Sequence, residues 1–267
     1  MEKSTSARHS ARSWSWPEFL LLVLVQLWLA HALVFFAHEY AHSFTAFLLG
    51  WKADPLALHF PPSSLTVWLM QLGIDQNVDE APIFAAGHGV DAGLIALAGP
   101  LLGNGIITYP MSRLAYVWAK RRGSRTWGML AYWACTASVG NFIDYVPIRT
   151  FTLDGDIGSV QRGFGWSSWT VLFVLGTPTL LALAYFLLRI VPSTLRWLFP
   201  DSAAQRFLVA VLTVCILFGF FGAAGLSGSG PISHRLSMIS VFGCLPSAVI
   251  LSAVLAVRAR YTGTRRP

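Results

Sequence analysis

His38-Glu39-Tyr40-Ala41-His42 interrupts an apolar run that covers residues 19–50, and the rest of the chain is best understood from it. On a helix, residues four apart share a face. His38 and His42 can therefore bind one metal ion while Glu39 stands one position around, placed to take a proton from water held there. The surroundings sharpen the point. An ionised Glu between two His is costly inside a membrane-type segment, and such residues are by default part of a functional site.

Composition agrees with that setting. Of the 267 residues, 55% are hydrophobic and 12% charged, against about 25% charged in ordinary soluble domains. Mean hydropathy is +0.58. The balance predicts an all-α polytopic membrane protein with about six transmembrane helices, surrounded by lipid bilayer. The formal charge of +7 is spread over the N-terminus (Lys3, Arg8, Arg12), two breaks between apolar runs (Lys120, Arg121, Arg122, Arg125; Arg189, Arg196, Arg206) and the C-terminus (Arg258, Arg260, Arg265, Arg266). That is the pattern of cytoplasmic loops facing anionic lipid. No folded basic module is left to bind nucleic acid. Cys135, Cys215 and Cys244 fall in apolar runs without metal-type spacing and read as small hydrophobes.

Residues 1–16 are polar, basic and Ser-rich, and are expected to form a disordered cytoplasmic tail. Spans are expected at about 17–50, 87–117, 126–146, 169–191, 207–226 and 236–257, with a basic cytoplasmic tail at 259–267. The count of Lys and Arg places both termini in the cytoplasm, in a bacterial-type cell membrane. The first run is too long for a signal-peptide core and lacks a small-residue cleavage site, so it is expected to be retained. It exceeds what a ~30 Å hydrocarbon core requires, so it must tilt, bend or project. Pro55, Pro61 and Pro62 rule out a regular helix just after it. Residues 56–60 and 65–69 flank Pro61-Pro62-Ser63-Ser64, which suits a short β-hairpin. Asp75, Asp79 and Glu80 follow, an acidic patch fitting a non-cytoplasmic loop. In the second span Pro100 bends the helix, and small residues around it permit close packing. The last three spans, within 159–258, read as bundle or lipid-facing helices.

A catalytic zinc needs a third protein ligand and an open position. No third His follows at a suitable spacing. The carboxylates of the central stretch are Asp144, Asp154 and Asp156. Asp154, just beyond a span and before a Gly, is the expected ligand. His31 lies seven residues before His38, on roughly the same face, and reads as a partner to a ligand or as a hydrogen-bonded bundle histidine. His59 and His88 are lone and read as structural. On residues alone two functions stay open. One is a zinc hydrolase with Glu39 as general base. The other is a zinc-binding membrane protein without proteolytic activity, such as a scaffold or transporter component. Glu39 favours the first, since a structural zinc does not need it.

The order of motifs also resembles a known family. HEYAH with Ala46 and Gly50 on the same helix, Leu97-Ala98-Gly99-Pro100 in the next span, then Asn141, Pro147 and Leu153-Asp154-Gly155, is similar to the site-2 protease family of intramembrane zinc metalloproteases. The resemblance covers about 31–158. It implies a three-helix metalloprotease core within 17–158, Zn²⁺ bound by His38, His42 and Asp154, and Glu39 activating water. It also implies that Asn141 positions the substrate or stabilises the oxyanion. The implied substrate is a membrane-embedded protein, and a hairpin near 55–70 would pair with an unwound substrate strand. Two departures stand out. Asn141 and Asp154 are thirteen residues apart, a longer separation than in many members, and the Asn after the Gly-Pro is displaced by one residue to Asn104.

Overall fold

The structure, a computed structural model, describes residues 14–227 and 230–263. Most of the expected N-terminal tail and the last four residues of the basic tail lie outside the described residues. Helix α1 (Trp16–Leu48) starts where the Ser15 backbone N–H donates to the Glu18 carboxylate at 2.9 Å and Pro17 occupies the first turn. There a missing N–H costs no hydrogen bond. Its 33 residues make about 50 Å of helix, well beyond the hydrocarbon thickness. Two short helices follow, α2 (Leu65–Met70) and α3 (Glu80–Ala85). Then come α4 (Gly89–Arg121), α5 (Arg125–Ile143) and α6 (Gly155–Phe164). The chain continues through α7 (Ser168–Leu198), α8 (Ala203–Leu226) and α9 (Gly230–Val254).

Among the described residues five helices are long and apolar enough to cross a membrane: α1, α4, α7, α8 and α9. The chain is a multi-pass, all-helical membrane protein. The expected third span, 126–146, is α5, and it differs in kind. Thirteen of its 19 residues are buried, so it is wrapped by other helices instead of facing lipid. Its polar residues explain its lower hydropathy, and its Thr136 and Ser138 hydroxyls find partners inside the bundle. The Thr136 hydroxyl donates to the Tyr132 carbonyl at 2.9 Å, and the Ser138 and Thr108 hydroxyls pair at 2.8 Å. Polar groups removed from water need such partners.

The expected hairpin at 55–70 is not formed. The segment's second half is the helix α2, because Ser64 acts as its N-cap and its hydroxyl accepts the Val67 N–H. The Pro61-Pro62 pair offers no N–H to a ladder. What remains of sheet pairing is an isolated bridge between His59 and Asp75. Residues 55–70 therefore present no strand edge.

Contacts define the two ends of the bundle. At one end Phe19 packs edge-on against Phe199, the Gln26 amide donates to the Thr126 carbonyl, and Trp197 lies against Gly128. The breaks rich in Lys and Arg lie there, at the C-terminus of α4 and the C-terminus of α7. At the other end are the C-terminal third of α1, the acidic loop 51–88, α6 and the C-terminus of α8, whose Phe220 and Phe221 pack on His31. A large apolar cluster joins α1, α5, α7 and α8, with Trp133, Tyr132 and Phe186 fully buried.

Candidate metal centre

His38 and His42 lie one turn apart on the buried face of α1. Their Nε2 atoms are 3.0 Å apart, and Asp156 Oδ2 lies 3.4 Å from each. One donor atom from each of the three residues falls within 4.8 Å of the others. The third member is thus Asp156, and Asp154 is not among them. Local backbone explains the exchange. Asp154 is the extended N-cap of α6, with its side chain exposed. Gly155 then adopts φ +67°, a turn that favours glycine. The chain enters the helix beyond it, so Asp156 in the first helical turn faces α1. Burial raises the Asp156 carboxyl, but the two histidines outweigh it and hold the group well below the usual carboxylate range.

The outer nitrogens of both imidazoles are also engaged. His42 Nδ1 lies 2.6 Å from the Ile95 carbonyl, so Nδ1–H donates there and Nε2 keeps its lone pair. The Gly99 N–H is farther from the same nitrogen, at 3.4 Å, and the short contact decides the tautomer. The fully buried Asn104 amide lies 3.1 Å from His38 Nδ1, and its Oδ1 has no hydrogen-bond partner. Exchanging the two ends of that amide lets Oδ1 accept the Nδ1–H of His38, which fills the orphaned acceptor and frees Nε2. Three electron-pair donors then converge with no proton among them. A cation is what such a set accommodates, and two imidazole nitrogens with one carboxylate oxygen match zinc chemistry.

The second long helix makes room for this. Between Ala98 and Thr108 α4 is π-helical. Its i→i+5 bonding brings residues four and five apart to one face, so Gly99, Gly103 and Asn104 all look at α1. A Cβ at residue 99 would sit 2.2 Å from His42 Nε2 and 2.5 Å from His38 Nε2. Only glycine leaves that space next to the donor nitrogens open.

Glu39 is buried, with Oε2 lacking a partner, and it accepts a hydrogen bond from the Gln76 backbone. It directly follows His38 on α1 and interacts electrostatically with His42 and Asp156, but it is not one of the three residues whose donor atoms converge. Asn141 is not brought into the cluster; its amide donates to the Ala137 carbonyl of its own helix at 3.1 Å. One turn later, Tyr145 is. Its hydroxyl lies 2.9 Å from His38 Nε2, and its ring stacks on the His38 ring at 5.2 Å and 17°. Arg149 covers the Tyr145 ring at 5.4 Å and pairs with Asp144 at 2.8 Å. Sequence reasoning missed Tyr145, which carries no spacing signal, and passed over Asp156 for its neighbour.

The other histidines named above stand apart. His31 Nδ1 bonds Gln71 Oε1 at 2.7 Å, so it ties α1 to the loop after α2 and does not support a ligand. His59 pairs with Asp75 at 3.1 Å and His88 with Asp91 at 3.3 Å, and both imidazoles are exposed.

Comparison of the chain with protein-family models, curated proteins and solved structures finds no match.

Proposed function

We propose that this chain is an intramembrane zinc metalloprotease that hydrolyses peptide bonds of membrane-spanning proteins. The observation that carries the reading is the convergence of His38, His42 and Asp156, with the buried Glu39 directly following His38 and one of its carboxylate oxygens unpartnered, in a chain made of membrane-length helices. The motif order shared with the site-2 protease family supports it from the sequence side.

Zinc held by His38, His42 and Asp156 supplies Lewis acidity, activating water and polarising a carbonyl. The protein's own groups do the rest. Nδ1–H donation to Ile95 fixes the His42 imidazole with its Nε2 lone pair inward, and with the Asn104 amide turned to present Oδ1 the same holds for His38. Asp156 would contribute one negative charge, offsetting half the charge of a dication. Glu39 takes a proton from the attacking water and passes it to the departing amine. Peptide C–N cleavage then consumes one water and yields a carboxylate and an amine. A helical substrate must unwind first, because its backbone bonds are internally satisfied.

The donor set lies at the acidic end of the bundle, and the Lys/Arg-rich breaks lie at the other. With those breaks and both termini in the cytoplasm, the site opens toward the opposite face of the membrane. The test uses detergent-purified protein loaded with zinc. Wild type is expected to hold one zinc and to cleave single-span peptides reconstituted in vesicles. Glu39→Gln is expected to keep the zinc and lose cleavage by at least about 10²-fold. Equal cleavage by both proteins would sink the mechanism.

A further inference from the structure

An apolar cavity of about 250 Å³ has in its wall Tyr145, whose hydroxyl meets His38 of the donor set. Its other walls include Leu97, Pro100, Leu101, Phe142 and Ile157, with Gly105 at one side. The volume suits one large side chain and not a helix, whose diameter is about 10–12 Å. The bundle has larger cavities, of about 470 and 440 Å³, but Tyr145 lines neither.

The Tyr145 hydroxyl is the polar atom at this boundary. Its ring stacks on His38 and is also met by the Arg149 guanidinium, and both contacts restrain the hydroxyl. It now reaches toward the His38 Nε2 lone pair at 2.9 Å. When that lone pair is given to a metal ion, the phenol O–H needs another acceptor in the same place. The carbonyl of a peptide bond under attack is such an acceptor, and it gains negative charge as the reaction proceeds. A peptide whose carbonyl meets Tyr145 has its adjoining side chain next to the cavity mouth.

Resting on the protease reading, we propose that this cavity receives a large apolar side chain, aliphatic or aromatic, beside the scissile bond, and that Tyr145 donates a hydrogen bond to the scissile carbonyl oxygen. Tyr145 keeps its proton throughout; the hydrogen bond stabilises charge, and the water proton still travels through Glu39. This assigns to Tyr145 the role that the sequence resemblance gave to Asn141.

Two arms test it, with single-span peptides carrying Ala, Leu or Phe across the bilayer-embedded segment, in phosphatidylcholine vesicles. In the first, Tyr145→Phe is compared with wild type for zinc content, peptide Kd in a Glu39→Gln background, and kcat. Zinc and Kd are expected within about twofold and kcat down about 10²–10³-fold. An unchanged kcat, or loss of zinc together with activity, overturns the assignment, the latter because the hydroxyl would then be supporting a ligand. In the second, Gly105→Leu fills the cavity; a Cβ there meets its nearest neighbours at 3.5–3.9 Å, ordinary contact distance. Binding of Leu and Phe peptides to the Glu39→Gln protein is expected to weaken about tenfold or more, and binding of Ala peptides to hold. Equal binding of all three, or an acyl chain found in the cavity by native mass spectrometry, overturns the pocket. Failure of zinc-loaded wild type to cleave any peptide defeats the protease reading itself, which these variant comparisons do not.

Discussion

The sharpest test of the donor cluster is one methyl group on Gly99. A Cβ there would lie 2.2 Å from His42 Nε2, about 1.3 Å inside the ~3.5 Å contact distance of non-bonded heavy atoms. A flexible side-chain end would simply move away. His42 cannot, because it is buried and its other nitrogen is held by the Ile95 carbonyl at 2.6 Å. His38 is held by Asn104 and Tyr145. Gly105→Ala on the same helix is the internal control, since its Cβ meets ordinary contacts. Helix propensity favours alanine at both sites by up to about 1 kcal/mol. At residue 105 nothing opposes that gain. At residue 99 overpacking costs about 1–3 kcal/mol, and donors displaced by more than ~0.2 Å no longer fit a metal. Zinc affinity, measured by chelator competition in detergent, is expected to fall at least about 100-fold, some 2.7 kcal/mol. Gly105→Ala is expected to keep affinity within about twofold and melt no lower than wild type. Full zinc affinity in Gly99→Ala would refute the proposed packing of α4 on the histidine pair.

Three further outcomes follow. Asp156→Asn is expected to lower bound zinc below half an equivalent by elemental analysis, and Asp154→Asn to leave it unchanged; the reverse pattern would return the ligand role to Asp154. Asn104→Leu is expected to weaken zinc about 10–100-fold, with Asn104→Asp retaining it, because an acceptor for His38 Nδ1–H is what the position supplies. Burial raises the Glu80 carboxyl above its ordinary 4.5, although the Ser159 hydroxyl donates to it. A carboxyl raised in the fold adds stability that is present below pH 4.5 and lost as pH rises through the folded value. Glu80→Gln is therefore expected to flatten the fall in melting temperature over that window, and an unchanged slope would remove Glu80 as its source.

Much of the architecture was legible because lipid imposes simple demands. A crossing helix must be long and apolar, and α1, α4, α7, α8 and α9 announce themselves that way. Helix α5 was legible as a helix but not as a wrapped one, since the helices that cover it come from distant parts of the chain. The hairpin failed because the Ser that ends a Pro-rich turn is equally a helix N-cap, and Ser64 took the second role. His38, His42 and Glu39 were legible because their spacing lies within one helix. Asp156 was not, because two aspartates flank one glycine and only the left-handed turn at Gly155 decides which faces inward. Tyr145 was hidden for a different reason: an aromatic near a span end looks like an interfacial belt residue, and its contact with His38 is 107 positions away.

The π-helical stretch of α4 has a consequence for how this chain tolerates length change. A run with i→i+5 bonding holds surplus residues relative to an α-helix of the same height. Removing one residue between Pro100 and Gly103 would let the segment relax toward α geometry while Asn104 stays on the face toward His38. The same deletion in the α-helical part beyond Tyr109 has no such slack to draw on, and would rotate everything after it by about 100°. A deletion scan along α4 should therefore show one narrow tolerant window, at the segment nearest the metal ligands, where ordinary intuition would expect the least tolerance.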